Sequence, residues 1–239
     1  MRLNTCWLAP AIAALIWLIM PTPTHATMIQ LQGDLGAATW SGPAQPLAMG
    51  DSNVQPFNVT TPTGALTGEV WTENLGNAFT LTVTNLVYEA FDEGAAPNAH
   101  SIEIYVGQEY ISTPGPYNVE HEVSGTADLG AGQNAYIGMQ TTHNFATALP
   151  SLFASVTGVG TGIPFSAGPA GQAVTTTSNL YVIETWLALS FDGGFPPTAT
   201  ITLPASAHTS AQLVPEPATA GTLGLSLLLL GRRRRRACA

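Results

Sequence analysis

The stretch Phe79-Thr80-Leu81-Thr82-Val83 sets the fold class of this chain. Apolar residues alternate with threonine along it, which is the pattern of a β-strand with one face against a core and the other in solvent. Residues 102–106, 118–123 and 199–203 show the same alternation. We also expect strands at 66–72, 134–140, 152–157 and 180–191. The sequence therefore predicts an all-β protein.

Clusters of Gly, Pro and Asn separate these runs, as at 113–116, 128–134 and 192–197. About eight to ten short strands with such turns are typical of a single two-sheet sandwich, either jelly-roll or immunoglobulin-like. We place this domain at 27–213. Within it, 147–154 is interpreted as a helical turn. Residues 158–177, rich in Gly, Thr and Ala, are interpreted as a long loop or a weak strand.

The charge distribution excludes several functions. Thr27 to Leu213 contains no lysine or arginine, because the six arginines are Arg2 and the block 232–236. Glu216 is the only one of fifteen acids outside that range, so the domain has a formal charge of −14 with histidine neutral. It has no lysine for phosphate binding or Schiff-base chemistry, and no basic surface for nucleic acid. Both cysteines also lie outside it, so it has no disulfide.

The N-terminus has the features of a signal peptide. Arg2 is followed by an apolar run at 7–20, by Pro21 and Pro23, and by the small residues Thr24 and Ala26. We predict a signal peptide at 1–26, cleaved between Ala26 and Thr27. The domain that follows would then be extracytoplasmic.

The C-terminus combines a turn, an apolar run and a basic block. Val214-Pro215-Glu216-Pro217 precedes fourteen residues without charge, 218–231. Proline keeps the residue before it extended, so the motif should be accessible. A helix of fourteen residues is about 21 Å long, shorter than the roughly 30 Å hydrocarbon core of a bilayer. We predict a sorting and anchor segment at 214–239 with a short apolar helix, whose basic end stays in the cytoplasm.

The Pro-Glu-Pro motif, the leucine-rich stretch 223–230 and the arginine cluster together resemble the PEP-CTERM sorting signal of Gram-negative bacteria. The cluster is Arg232, Arg233, Arg234, Arg235 and Arg236. The resemblance covers about a tenth of the chain. It implies an exosortase-type membrane protease as partner, transient anchoring in the inner membrane, and removal of the tail. It also implies delivery to the cell surface or extracellular matrix of an organism that makes exopolysaccharide.

Few residues of the body suggest chemistry. His121 lies between Glu120 and Glu122, but a strand places it on the opposite face from both, so we predict a core or boundary histidine. His100 is interpreted as structural, and His143 and His208 as loop residues. A Gly-x-Ser-x-Gly elbow, a His-Glu-x-x-His helix and a body cysteine are all missing from the sequence. We therefore predict a protein that is not an enzyme and has no catalytic or metal-binding residue.

Two weaker patterns have an alternative interpretation. Glu89, Asp92 and Glu93 resemble a calcium loop only faintly, and we interpret them as an acidic turn, with no cofactor. The tryptophans of the body could form a platform for sugars, but we interpret them as core residues: Trp40, Trp71 and Trp186.

These observations predict an exported surface or matrix protein with a structural or adhesive body, associated with exopolysaccharide. Carbohydrate binding is the alternative, and a secreted glycan-active hydrolase is the third hypothesis. A body this acidic is repelled by anionic polysaccharide, so direct binding would require neutral sugars or bridging divalent cations.

Overall fold

Antiparallel β-strands form the regular structure of this protein, in a computed structural model that describes residues 27–42, 45–91, 100–144, 147–193 and 198–214. The strands within these ranges are β1 (Met28–Gly33), β2 (Ala38–Ser41), β3 (Ser52–Thr61), β4 (Gly64–Asn74), β5 (Ala78–Phe91), β6 (His100–Ile111), β7 (Gly115–Leu129), β8 (Asn134–His143), β9 (Thr147–Ala148), β10 (Leu152–Thr157), β11 (Gly160–Thr176), β12 (Leu180–Asp192) and β13 (Thr198–Leu213). None of the described residues forms a helix that could span a membrane. The predicted signal peptide and the apolar helix of the tail lie outside these ranges.

The strands form two sheets packed face to face. One sheet has seven strands in the order β10-β8-β12-β6-β1-β2, with β9 paired to β8. The other has six strands in the order β11-β7-β13-β5-β4-β3. This arrangement confirms the predicted all-β sandwich.

The strand pairing identifies the sandwich as a jelly roll. Strands β5 to β8 form one arm of a long ribbon and β10 to β13 form the returning arm. The arms pair as β8 with β10, β7 with β11, β6 with β12 and β5 with β13, all antiparallel. The ribbon wraps around the core, so β12 also pairs with β8 and β13 also pairs with β7. Because the chain alternates between the sheets in this way, the jelly roll is selected over the immunoglobulin-like arrangement.

The core lies between the inward faces of the two sheets. In β5 the apolar residues Phe79, Leu81 and Val83 are fully buried, as their alternation with threonine predicts. Phe79 is also part of a cluster of aromatic rings whose centroids lie 5.0–5.5 Å apart, with Tyr110, Tyr117 and Tyr181. Each such ring pair contributes about 0.5–1.5 kcal/mol beyond the area it buries.

A polar network crosses this core at His121. Its Nδ1 lies 3.0 Å from Oγ1 of Thr141 on the opposite sheet, and its Nε2 lies 2.8 Å from the carbonyl oxygen of Pro150. A carbonyl only accepts, so Nε2 carries the proton and Nδ1 accepts from Thr141. The hydroxyls of Thr141, Thr185 and Thr209 lie 3.1–3.2 Å from one another. Burial lowers the pKa of His121, although the Pro150 carbonyl opposes that shift. The predicted core histidine is confirmed.

The structure decides one open alternative and corrects two local predictions. Residues 158–177 contain the seventeen-residue strand β11, paired along its length with β7, so the strand is the correct alternative for this stretch. β11 is an edge strand, so backbone pairing forms it without an apolar pattern on both faces. Residues 147–154 contain β9 and the start of β10, not a helical turn. The last strand does not stop before Pro204 but continues to Leu213, past an irregularity between Leu203 and Ala207 where a proline is tolerated.

Two histidines expected in loops lie in strands. His143 is buried in β8, 6.4 Å from the Tyr181 ring between centroids, and neither ring nitrogen has a hydrogen-bond partner in the described structure. Burial lowers its pKa. His208 lies in β13, where its Nδ1 is 2.8 Å from Oγ1 of Thr82. His100, interpreted as structural, begins β6 with its Nδ1 3.5 Å from Oδ2 of Asp34.

Candidate functional site

Trp186 is half exposed, at 49 %, on the outer face of the seven-stranded sheet. Its neighbours in β12, Thr185 and Leu187, are buried, so alternation turns the indole outward. The interpretation of this tryptophan as a core residue was wrong. The same holds for Trp71, which is 50 % exposed on the six-stranded sheet. Trp40 is partly buried, and its ring centroid lies 6.0 Å from that of Phe57.

Two neighbouring strands place polar and aromatic side chains beside Trp186. Tyr105 of β6 and Gln140 of β8 lie directly opposite it, so their Cβ atoms are about 5 Å from its own. The Tyr105 ring extends over Gly107, where an added Cβ would lie 3.4 Å from the phenol oxygen. A Cβ at Gly107 would be in ordinary contact with this ring, so the ring lies along the sheet above that residue.

Glu184 is held in place beside these rings. The Tyr105 hydroxyl donates to its Oε1, and the Thr142 hydroxyl donates to its Oε2 at 2.6 Å. Burial, together with the hydrogen bond to Glu184 and its charge, raises the pKa of Tyr105, so the phenol stays protonated. Each carboxylate oxygen has a second lone pair, which remains available to an incoming donor.

A shallow trough adjoins Trp186 on the same face. Its floor consists of Gly138 of β8 and Ala188 of β12, which are paired across the two strands. Its far side is Phe153 of β10, which pairs with Gly138 from the other side. Phe153 is strongly exposed and stacks on Tyr136, with ring centroids 6.1 Å apart and an interplanar angle of 25°. Strand spacing and rise place the Cα atoms of Trp186 and Phe153 about 12 Å apart. The face thus has two aromatic sites separated by a floor of small residues.

This arrangement suits a ligand that is flat and apolar on one side and rich in hydroxyl groups at its edge. The rings of Trp186 and Tyr105 offer apolar surfaces, while Glu184 and Gln140 accept and donate hydrogen bonds. A pyranose sugar has both properties. Within the described residues, no three or more His, Cys, Asp or Glu side chains are grouped closely enough to hold a metal. Asp92 and Glu93 of the predicted acidic turn lie outside those residues.

The outer face of the six-stranded sheet surrounds Trp71 differently. The residues opposite it are Val54 of β3 and Thr82 of β5. Thr82 bonds to His208, whose pKa is lowered by burial although Glu122 acts to raise it. No aromatic residue is cross-strand from this tryptophan.

The structure describes only part of the predicted processing sites. Thr27 is buried, with its hydroxyl hydrogen-bonded to Gln108 and 3.0 Å from the Asn53 amide nitrogen. The Val214 amide donates to the Pro116 carbonyl at 2.8 Å, so the fold extends to the first residue of the sorting motif. The remaining residues lie outside the described ranges: Ala26, Pro215, Glu216, Pro217 and Arg232 to Arg236.

The alternation of residues along each strand indicates that both tryptophans face outward. Trp186 shares its strand face with Glu184, whereas Ile183, Leu187 and Leu189 occupy the other face. Trp71 likewise shares its face with Glu69 and Glu73. An aromatic residue that shares its strand face with charged residues is expected to point outward.

Comparison with known proteins finds only distant structural similarity. No protein-family model and no curated protein sequence matches the chain. Among solved structures, a carbohydrate-binding module in complex with β-1,4-galactotriose is 10 % identical, with a TM-score of 0.25 over 68 % of this chain and 89 % of that one. A structure of carbohydrate-binding modules from the β-sandwich superfamily is 12 % identical, with a TM-score of 0.19 over 77 % and 86 %. A structure of infectious bursal disease virus is 12 % identical, with a TM-score of 0.23 over 91 % and 71 %. Their ligands are properties of those proteins.

Proposed function

We propose that the body of this protein binds uncharged polysaccharide through the outer face of its seven-stranded sheet, without catalysis. The observation that carries the proposal is the half-exposed Trp186 in the middle of that sheet. Tyr105 lies beside it, and Glu184 is held by two hydroxyl donors. Function is argued from this site because a jelly roll by itself serves many purposes.

The charge of the body restricts the ligand. With fourteen acids and no lysine or arginine between Thr27 and Leu213, the domain repels anionic polysaccharide at neutral pH. Glu184 and Glu103 lie on the same sheet face as Trp186 and strengthen this repulsion locally. Neutral hexose polymers satisfy both the electrostatics and the aromatic geometry.

We further propose that the protein is exported and sorted to the cell surface or extracellular matrix, where exopolysaccharide is its partner. The signal peptide and the PEP-CTERM resemblance support this proposal, with an exosortase-type protease acting near Pro215–Pro217. The hydrogen bond of Val214 to Pro116 supports it as well, since the motif then follows the fold directly. A glycan-binding body delivered to such a layer would act as an adhesive component of it.

The binding proposal is tested on a panel of neutral polysaccharides (galactan, mannan, cellulose and dextran), with alginate as an anionic control. We expect saturable binding of the full chain to at least one neutral polymer. Trp186→Ala should lower the affinity about tenfold or more, which corresponds to ~1.4 kcal/mol.

Trp71→Ala is the matched control, because it removes a side chain of the same type and exposure from the other sheet. We expect it to leave affinity unchanged. Circular dichroism confirms that both variants are folded. Equal losses of glycan affinity in the two variants would refute the assignment of binding to the seven-stranded sheet. Binding to alginate alone would refute it as well.

The sorting proposal is tested by intact-mass analysis of the protein from its native host. A mature species beginning at Thr27 and ending near Pro215–Pro217 is the expected result. Retention of the arginine cluster in the surface-exposed protein contradicts it.

A further inference from the structure

Three exposed apolar side chains occur at the end of the sandwich where β13 finishes, which we call the exit end. Met49 is 62 % exposed, Leu75 is 56 % exposed and Ile111 is 44 % exposed. They lie in the connections before β3, between β4 and β5, and at the end of β6. Exposed apolar residues gathered on one surface indicate an interaction site more often than single ones do.

Hydrogen bonds from one side chain hold these three segments together. The buried amide of Asn74 donates to the carbonyl oxygen of Leu47 at 2.7 Å and to that of Ile111 at 3.0 Å. Met49 lies over the next turn, since a Cβ added at Gly76 would be 2.6 Å from its Cγ. The three apolar side chains therefore belong to one fixed surface.

The chain leaves the body at this same end. The Leu213 amide donates to the Asn77 carbonyl at 2.7 Å, within the turn that follows Leu75. From Val214, four residue steps lead to Ala218, the first residue of the apolar run. Four steps span at most about 14 Å. An anchored tail therefore holds the exit end close to the bilayer.

Among the described residues, the two ends of the sandwich each carry acidic side chains and differ in the number of large exposed apolar ones, three at the exit end against Val159 at the other. The opposite end carries Asp34, Asp128 and Asp192 beside its turns. At the exit end, the nearest acids are Asp51, Glu73 and the buried Glu109. An end with several exposed apolar side chains facing lipid is the arrangement of an interfacial protein.

We propose that the exit end rests on the lipid surface while the tail is anchored, with Met49, Leu75 and Ile111 in the headgroup region. This inference depends on the proposed anchoring of the tail, and it adds a contact made by the folded body. Because the body is acidic, the surface that fits is a zwitterionic rather than an anionic one. The strands then stand away from the membrane and the Trp186 face points sideways, open to extended polymers.

The test uses the full chain with Cys6 and Cys238 replaced by serine and one new cysteine carrying an environment-sensitive fluorophore. Met49→Cys reports on the exit end. Val159→Cys is the matched control, since it is 70 % exposed between β10 and β11 at the opposite end. Both proteins are reconstituted into phosphatidylcholine vesicles with and without a lipid that carries a headgroup-level nitroxide quencher.

We expect quenching about threefold or more stronger at Met49 than at Val159, as for a group in the headgroup region. Adding Leu75→Ser and Ile111→Ser should reduce the quenching at Met49. Vesicle-bound protein with equal quenching at both positions overturns this inference and leaves anchoring intact. Protein that stays off the vesicles overturns both. The fluorophore at Met49→Cys could instead change its emission without vesicles, and increasingly with protein concentration. That result would show that the apolar patch binds a second copy of the chain, and it also overturns the inference.

Discussion

Trp186 and Trp71 have nearly equal exposure, 49 % and 50 %, on the outer faces of opposite sheets, yet their surroundings differ. Trp186 is flanked by Tyr105 and Gln140, near a carboxylate held by two hydroxyl groups. Trp71 is flanked by Val54 and Thr82. The comparison shows that exposure alone does not mark a binding site. The cross-strand neighbours decide what an exposed indole can bind.

Filling the trough beside Trp186 should weaken binding about as much as removing the indole. A Cβ at Gly138 would meet Ala188 at an ordinary contact distance of 3.7 Å, so the backbone accepts a side chain there. The leucine should cover the floor between the two aromatic sites and weaken glycan affinity about tenfold, the size of one lost aromatic contact. Isothermal titration calorimetry measures this change.

Thr80→Leu provides the control for that substitution, since it places the same leucine side chain on the outer face of the six-stranded sheet. We expect no change in affinity. A full loss of binding in Thr80→Leu, or normal binding in Gly138→Leu, would show that the two faces have been assigned the wrong way round.

Removing one hydroxyl group should have a smaller effect. Tyr105→Phe keeps the ring but releases one oxygen of Glu184, so we expect affinity to fall about threefold, within the range of one hydrogen bond. Thr82→Val is the counterpart on the other sheet, where it removes the hydrogen bond to His208. Each variant should lose about 1 kcal/mol of unfolding free energy, but only Tyr105→Phe should change affinity. Identical affinities for the two variants argue against a role for the positioned carboxylate.

Acidification should change stability while leaving affinity nearly constant. Burial lowers the pKa of His121, His143 and His208, so the unfolded chain binds protons more readily than the folded one. Their stabilising contribution is present above the unfolded pKa of about 6.5 and is lost as pH falls below it. The residues around Trp186 include no histidine. We therefore expect Tm to fall between about pH 8 and 5.5 while the affinity of the folded protein stays constant.

His143→Phe sharpens the pH test. His143 packs against Tyr181 and neither of its ring nitrogens has a described partner, so a phenyl ring should replace it with little strain. The variant should show a weaker dependence of Tm on pH than the wild type. A Tm that rises on acidification in either protein contradicts the assignment of neutral buried histidines.

The sequence predicted the strands that have one solvent-exposed face and one buried face. In β5 and β6 the alternation reports burial directly, and β10 matches its predicted bounds, Leu152–Thr157. The prediction failed at the edges, where β3 contains Pro56 and β11 is rich in glycine. Edge strands are stabilised by backbone pairing on one side, which leaves little pattern in the side chains. The order of strands in the two sheets, and hence the jelly-roll topology, depends on pairing between distant segments. The periodicity within one segment cannot reveal it.

The candidate site was only partly accessible from sequence. The sequence marked the tryptophans as possible sugar platforms, but they were interpreted as core residues. Alternation along each strand places Trp186 and Trp71 on the same face as charged residues, which indicates an exposed position. The positioning of Glu184 by Tyr105 and Thr142 joins three strands, and only their register brings these residues together. The predicted sorting motif has the opposite character, since it consists of contiguous residues and lies almost entirely outside the described ranges.

The position of β13 has a consequence for folding kinetics. It is the last of the described strands, yet it lies between β5 and β7 in the middle of its sheet. A chain synthesised from the N-terminus leaves the edges of both strands open until Leu213 has emerged. Contacts this distant in sequence form slowly. We expect the domain to close only after synthesis is nearly complete, so the polypeptide stays unfolded until its C-terminal strand is available.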